Sequence, residues 1–127
     1  MFDDDDPYLA QVRALAAALP GTAEKVSHGR PAFFTTKVFA YYGGSRKVDG
    51  EWVQHEHAVV VQPDPGDRPA LLEDERTFVP AYLGPSGWIG LDLDVEGDTD
   101  WDKVAELLDA SFRVTAPKGL VRQLDEG

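Results

Sequence analysis

Three groups of side chains in this 127-residue sequence are of types that do chemistry. His55-x-His57 would set two imidazoles on one face of a strand, and such a pair can hold a metal if His28 or Glu56 approaches as a third ligand. Asp92-x-Asp94-x-Glu96-Gly97 opens as a calcium loop does, with acids at positions 1, 3 and 5 and glycine at 6. Position 12 of that loop should be a bidentate glutamate and is Lys103. Residues 25–48 hold Lys25, Arg30, Lys37, Arg46 and Lys47 and no acid, interleaved with Phe33, Phe34, Phe39, Tyr41 and Tyr42. Cations that pair with phosphate, set among rings that stack on bases, are what nucleic-acid surfaces combine.

Each group also has a plain reading. The histidines are then an exposed pair on a hairpin, and the acids a strand end leading into a helix cap. The aromatic rings are core, and the cations balance acids elsewhere. Ser27-His28 cannot be a nucleophile and its base without a bulge, because neighbouring strand positions face opposite ways. There is no phosphate-binding glycine loop and no nucleophile elbow. The sequence has no cysteine, which excludes a thiol nucleophile, an iron–sulfur cluster and a cysteine zinc site. The expectation is a non-enzymatic chain with no catalytic residues, no metal and no cofactor.

The elements that must position these groups read as follows. Asp6 suits an N-cap and Pro7 a first turn, and Tyr8, Val12, Leu15, Ala16 and Leu19 give the helix an apolar face. Pro20-Gly21 stops it. Short strands follow at Glu24–His28, Phe33–Thr35 and Val38–Tyr42, the last broken by Gly43-Gly44. Asp49-Gly50 is the strongest hairpin signal. It joins a short strand near Ser45–Val48 to a longer one within Glu51–Gln62, and this hairpin should project as a wing. Arg68–Asp74 reads as a short helix capped by Asp67, and Phe78–Leu83 as irregular or strand-like. Trp88–Val95 alternates, with Ile89, Leu91, Leu93 and Val95 on one face. A long helix starts near Asp98 or Thr99, with Thr99-x-x-Asp102 resembling a capping box, and Lys118–Leu124 forms a last helical segment. Mostly sequential strands with few helices predict an α+β fold in two layers, an antiparallel sheet with helices on one face. The predicted core is Val12, Leu15, Leu19, Phe39, Val59, Val61, Leu91, Leu93, Val104, Leu108 and Phe112.

Composition sets further bounds. The length fits one domain over residues 1–127, with no internal repeat or linker. No apolar run reaches the roughly 18 residues of a membrane span, and the acidic start Asp3-Asp4-Asp5-Asp6 is no secretory signal, so the expected location is cytoplasmic. Net charge is −11, and ten of the acids lie in residues 3–6 and 92–102. Setting those aside leaves 13 acids against 12 bases.

Spread along nearly the whole chain are Leu19-Pro20-Gly21-Thr22-x-Glu24, His28-Gly29-x-Pro31-x-Phe33 and Lys37-Val38-Phe39-Ala40. Then come Val79-Pro80-Ala81-Tyr82-Leu83-Gly84, Gly87-Trp88-Ile89, Asp100-Trp101-x-x-Val104-Ala105-Glu106-Leu107-Leu108, Ser111-Phe112-Arg113-Val114 and Ala116-Pro117-Lys118. In their order and spacing these pieces resemble the MmcQ/YjbR family of small bacterial proteins. The resemblance implies a two-layer fold similar to frataxin-like and secretion-chaperone-like domains. It also implies DNA binding through a double-wing shape, and it supplies no catalytic residues. Gln62 stands where the family pattern has lysine after the central strand.

Two functions follow as expectations. The first is weak DNA binding without sequence reading, with Lys25, Arg30, Lys37, Arg46 and Lys47 as phosphate contacts on one face, helped by the wing. Five such contacts would give a log–log salt slope of about −4.5 on duplex DNA. The second is a chaperone-like module that binds a protein partner with its open sheet face.

Overall fold

A computed structural model describes residues 3–94 and 99–127. Six strands form one antiparallel sheet in the order β1-β2-β3-β4-β6-β5. They are β1 (Ala23–Ser27), β2 (Arg30–Phe34), β3 (Val38–Val48), β4 (Glu51–Val61), β5 (Thr77–Phe78) and β6 (Ile89–Asp92). The helices are α1 (Pro7–Ala17), α2 (Arg68–Leu71), α3 (Trp101–Thr115) and α4 (Lys118–Glu126). This is the α+β arrangement that the sequence predicts.

Register shows how the two faces divide. Glu24, Phe33, Ala40, Val61 and Ile89 are successive partners across the sheet. Phe33, Val61 and Ile89 of that row join Leu9, Val12, Val104, Leu108 and Phe112 in one buried cluster, so this face carries the helices. The predicted core residues all belong to it, Leu15 as a half-buried member. The adjacent row, Lys25, Ala32, Tyr41, Val60, Gly90 and Phe78, looks the other way. There Ala58, Val60, Phe78 and Trp88 make a second, smaller cluster. Gly90 is part of the reason it closes, since a Cβ at Gly90 would sit 2.2 Å from the Phe78 ring.

Several boundaries differ from the expectation. Asp6 caps α1 as read, its carboxylate accepting the Tyr8 N–H at 2.9 Å. The α3 cap is Asp100, which accepts from Lys103 N–H, while Thr99 donates its hydroxyl to the Leu93 carbonyl, so the Thr99 capping box does not form. Asp67 makes no side-chain cap to α2, which ends at Leu71 instead of Asp74. The expected positions of Val95, Glu96, Gly97 and Asp98 lie outside the described residues.

The largest departure is at Gly43-Gly44. These glycines bend β3 without ending it, and the strand runs on to Val48. Tyr42 pairs with Val59, but Gly44 pairs with His55, so two steps on β3 span four on β4. Such a bulge leaves residues unpaired and coils the ribbon. Gly43 supplies the positive φ of 89° that the bend requires.

Candidate functional site: the bent wing and its hinge

Asp49 and Gly50 both take positive φ, 51° and 83°, as the hairpin turn demands. The wing does not project freely. It folds back over the far face, where the Ala81 N–H donates to the Ser45 carbonyl at 2.8 Å. His55 stacks on Phe78 with ring centroids 3.8 Å apart, and its Nδ1 donates to Asp92 at 2.7 Å. Its Nε2 is buried with no partner among the described residues. At the tip, Trp52 stacks on Tyr82 at 5.9 Å, and both rings stand in solvent, 48% and 84% exposed.

The five sequence-predicted cations are not gathered on one face. Lys25 sits on the far face of edge strand β1, over the Phe34 ring at 4.9 Å. Arg30, half-buried, reaches across Gly43 and donates to Gln54 Oε1 at 2.7 Å and to the Gly44 carbonyl. Burial lowers its guanidinium from the usual value, and its bonds brace the bend. Lys37 is exposed in the turn between β2 and β3. Arg46 and Lys47 are both exposed on the wing but occupy consecutive strand positions, which alternate in direction. Lys47 is the cross-strand partner of Trp52 and lies over its ring at 5.7 Å. Of the aromatics in the basic stretch, Phe33, Phe39 and Tyr42 are core. Among the described residues, the large aromatic side chains most open to solvent are Trp52 and Tyr82, neither of them among the candidate site residues expected from the sequence. Trp52 next to a tight turn was the available signal, since a hairpin tip has nothing to bury it.

The bulge also separates the two histidines expected to share a face. His55 belongs to the far side. His57 lies on the helix side, with Nδ1 2.8 Å from Asp6 and 3.1 Å from the Tyr42 hydroxyl. Tyr42 donates its hydroxyl to the same Asp6 carboxylate, which is 6% exposed. Burial, and then the bond to Asp6, hold the Tyr42 proton far above the usual tyrosine range. Burial pushes Asp6 up, but the bonds from Tyr42, Tyr8 N–H and His57 outweigh it and keep the carboxyl below its usual value. Asp6 is thereby fully engaged as an acceptor, and the cluster ties the start of α1 to β3 and β4. The metal pair is thus dismantled, and no group of three potential ligands occurs among the described residues. Asp92 of the calcium-like loop is taken by His55, and Glu96 and Gly97 are outside the described residues.

The family model YjbR matches residues 17–114. The chain belongs to the YjbR family. Among solved structures, this YjbR chain is similar to Deinococcus radiodurans protein DR2400, which carries the family-model domain DUF419. The TM-score is 0.59 at 15% identity, over 87% of this chain and 80% of that one, a likeness of fold. No curated protein matches the sequence. Among the described residues, no helix of this YjbR domain is long and apolar enough to cross a membrane.

Proposed function

We propose that this YjbR chain is a non-enzymatic binding module that takes single-stranded DNA, weakly and without reading sequence, on its bent wing. The exposed Trp52–Tyr82 stack carries the reading. Flat rings open to solvent accept bases of any kind, at roughly 1–3 kcal/mol per stacked base. Lys47 over Trp52, and Arg46 on the opposite side of the same ribbon, supply phosphate contacts, and neither makes a salt bridge among the described residues. Tyr82 is held at φ 65°, a conformation costly for a bulky residue. Strain of this kind persists where the surroundings enforce it, commonly at binding sites. The net charge of −11 keeps the affinity low.

Titration with oligothymidylate, followed by tryptophan fluorescence, tests the reading. At about 20 mM salt the emission should fall, and Tyr82→Ala or Arg46→Glu with Lys47→Glu should abolish the change. Two phosphate contacts predict a salt slope of about −1.4, steeper if Lys25 and Lys37 take part. No response at that salt sinks the DNA reading.

A second reading rests on Val48 and Val53 of the wing and Val79 after β5, which are exposed. Aromatic anchors amid aliphatic surface are typical of protein interfaces. A protein partner on the wing is the function to pursue if the oligonucleotide gives no response.

A further inference from the structure

Away from the wing, between α2 and α3, lies an open cleft of about 630 Å³. Ala70, Leu71 and Ala110 contribute apolar surface to it, and Asp64, Asp67, Asp100, Asp102 and Glu106 line it with carboxylates. Lys103 is the one cation in the lining. Its charge is already committed, because its ammonium binds Asp74, which is also held by Arg76. None of the five lining carboxylates has a cationic partner among the described residues. Asp100 is accounted for as the α3 cap, and Asp102 sits favourably in the first turn. Glu106 has neither role, and it stands one turn from Asp102, a like-charged i,i+4 pair that destabilises a helix.

We infer that this cleft docks a basic, amphipathic peptide segment of a partner protein. Charge complementarity selects the cation: an occupant bearing lysine or arginine relieves the Asp102–Glu106 repulsion and meets carboxylates that make no salt bridge among the described residues. The apolar surface selects the peptide. A bare metal ion would leave Ala70, Leu71 and Ala110 unused, and the carboxylates do not converge, since no three potential ligands cluster among the described residues. A volume of several hundred Å³ accommodates side chains and lies in the range of ligand clefts. Nucleic acid is repelled here, so the occupant differs in kind from the one proposed for the wing.

The test uses the full chain and a short fluorescein-labelled peptide of lysine and leucine, read by anisotropy. Asp102→Asn with Glu106→Gln, both at exposed positions, should weaken binding at least about fivefold. Ala70→Arg, which places a cation at the cleft edge, should weaken it too. Asp3→Asn with Asp5→Asn removes the same charge elsewhere and should leave affinity within about twofold. Trp52→Ala should change nothing, which separates this site from the wing. The inference is overturned if the Asp3/Asp5 variant loses as much as the cleft variant. It is equally overturned if a lysine–serine peptide or spermidine binds as tightly as the lysine–leucine peptide, since attraction to charge alone would then suffice. Self-association of the free chain that Asp102→Asn with Glu106→Gln abolishes would assign the cleft to a second copy and also overturn it.

Discussion

On the helix side of the sheet, Phe33, Val61, Ile89 and Leu91 disappear into one cluster with α1 and α3. On the far side, Ala58, Val60, Phe78 and Trp88 support a folded-back hairpin whose outermost rings stand in water. The difference is one of burial. Each buried aliphatic side chain on the helix side adds roughly 1.5–3 kcal/mol of hydrophobic stabilisation. The exposed Trp52 and Tyr82 contribute little of that kind, and positioning them takes a bulge, a bent strand and a tyrosine at positive φ. Stability is therefore concentrated on one face, and the exposed rings proposed to bind stand on the other. Substitutions on each side should separate the two properties.

The largest effect is expected from Leu108→Ala, deep in the helix-side cluster at 1% exposure. It should cost about 2–5 kcal/mol in urea unfolding, with the wing chemistry unchanged in the molecules that remain folded. A loss under about 0.5 kcal/mol at both Leu108 and Leu91 would contradict the division of faces.

Asp6→Ala should come next, at about 2–3 kcal/mol, because it removes a helix cap and the carboxylate to which the buried Tyr42 hydroxyl donates. The effect depends on pH with a definite sign. Asp6 titrates below its usual 3.8 in the folded chain, so the stability it adds is complete above that value and is lost as pH falls through the folded value. Asp74, held down by Arg76 and then Lys103, behaves likewise. Melting temperatures of the parent and Asp6→Ala should therefore converge in strong acid. A gap that widened on acidification would show that Asp6 is not the carboxylate the cluster holds.

Gly90→Ala probes the far face. The new methyl would drive into the Phe78 ring, and overpacking of this kind costs roughly 1–3 kcal/mol. Phe78 carries His55, so the same change should loosen the wing and reduce the Trp52–Tyr82 stack, seen as altered aromatic circular dichroism. Lost stability with an intact stack would mean that the wing is held by something other than the Phe78–His55 contact.

Much of the helix side was legible in the sequence because its signals are periodic. Val12, Leu19, Val104, Leu108 and Phe112 recur at helical spacing, and Ile89, Leu91 and Leu93 alternate as a half-buried strand must. The YjbR assignment follows from pieces spread over the same elements. The far side was not legible, because its signals are exceptions to period. Strict alternation put His55 and His57 together, and a two-residue bulge opposite Gly43 sent them to opposite faces. A glycine pair within a strand is a known mark of a bulge, but it does not say which way the next residues turn. Arg30 read as a free cation because its partners, Gln54 and the Gly44 carbonyl, meet it only after the bend. Tyr82 read as one residue of an irregular run, since its partner Trp52 is remote in sequence. Asp6 was read correctly as a cap, while its links to Tyr42 and His57 are long-range and leave no local trace.

The smallest stability effect should come from Trp52→Ala, and it bears most directly on function. Trp52 is half exposed and touches Tyr82 and Lys47 in place of the core. Surface substitutions of this kind usually stay within about 0.5 kcal/mol. If the far face serves binding, the variant should unfold in urea almost as the parent does and yet fail to shift with oligothymidylate at low salt. Trp52→Phe keeps a ring for stacking, so it should restore most of the binding measured by anisotropy of a labelled oligonucleotide, a readout that does not need the indole. Equal binding by Trp52→Ala and the parent would remove the stack from the binding surface and leave the cations alone to explain any affinity. A large loss of stability would place Trp52 in the structural framework, and the separation between the two faces would not extend to the wing tip.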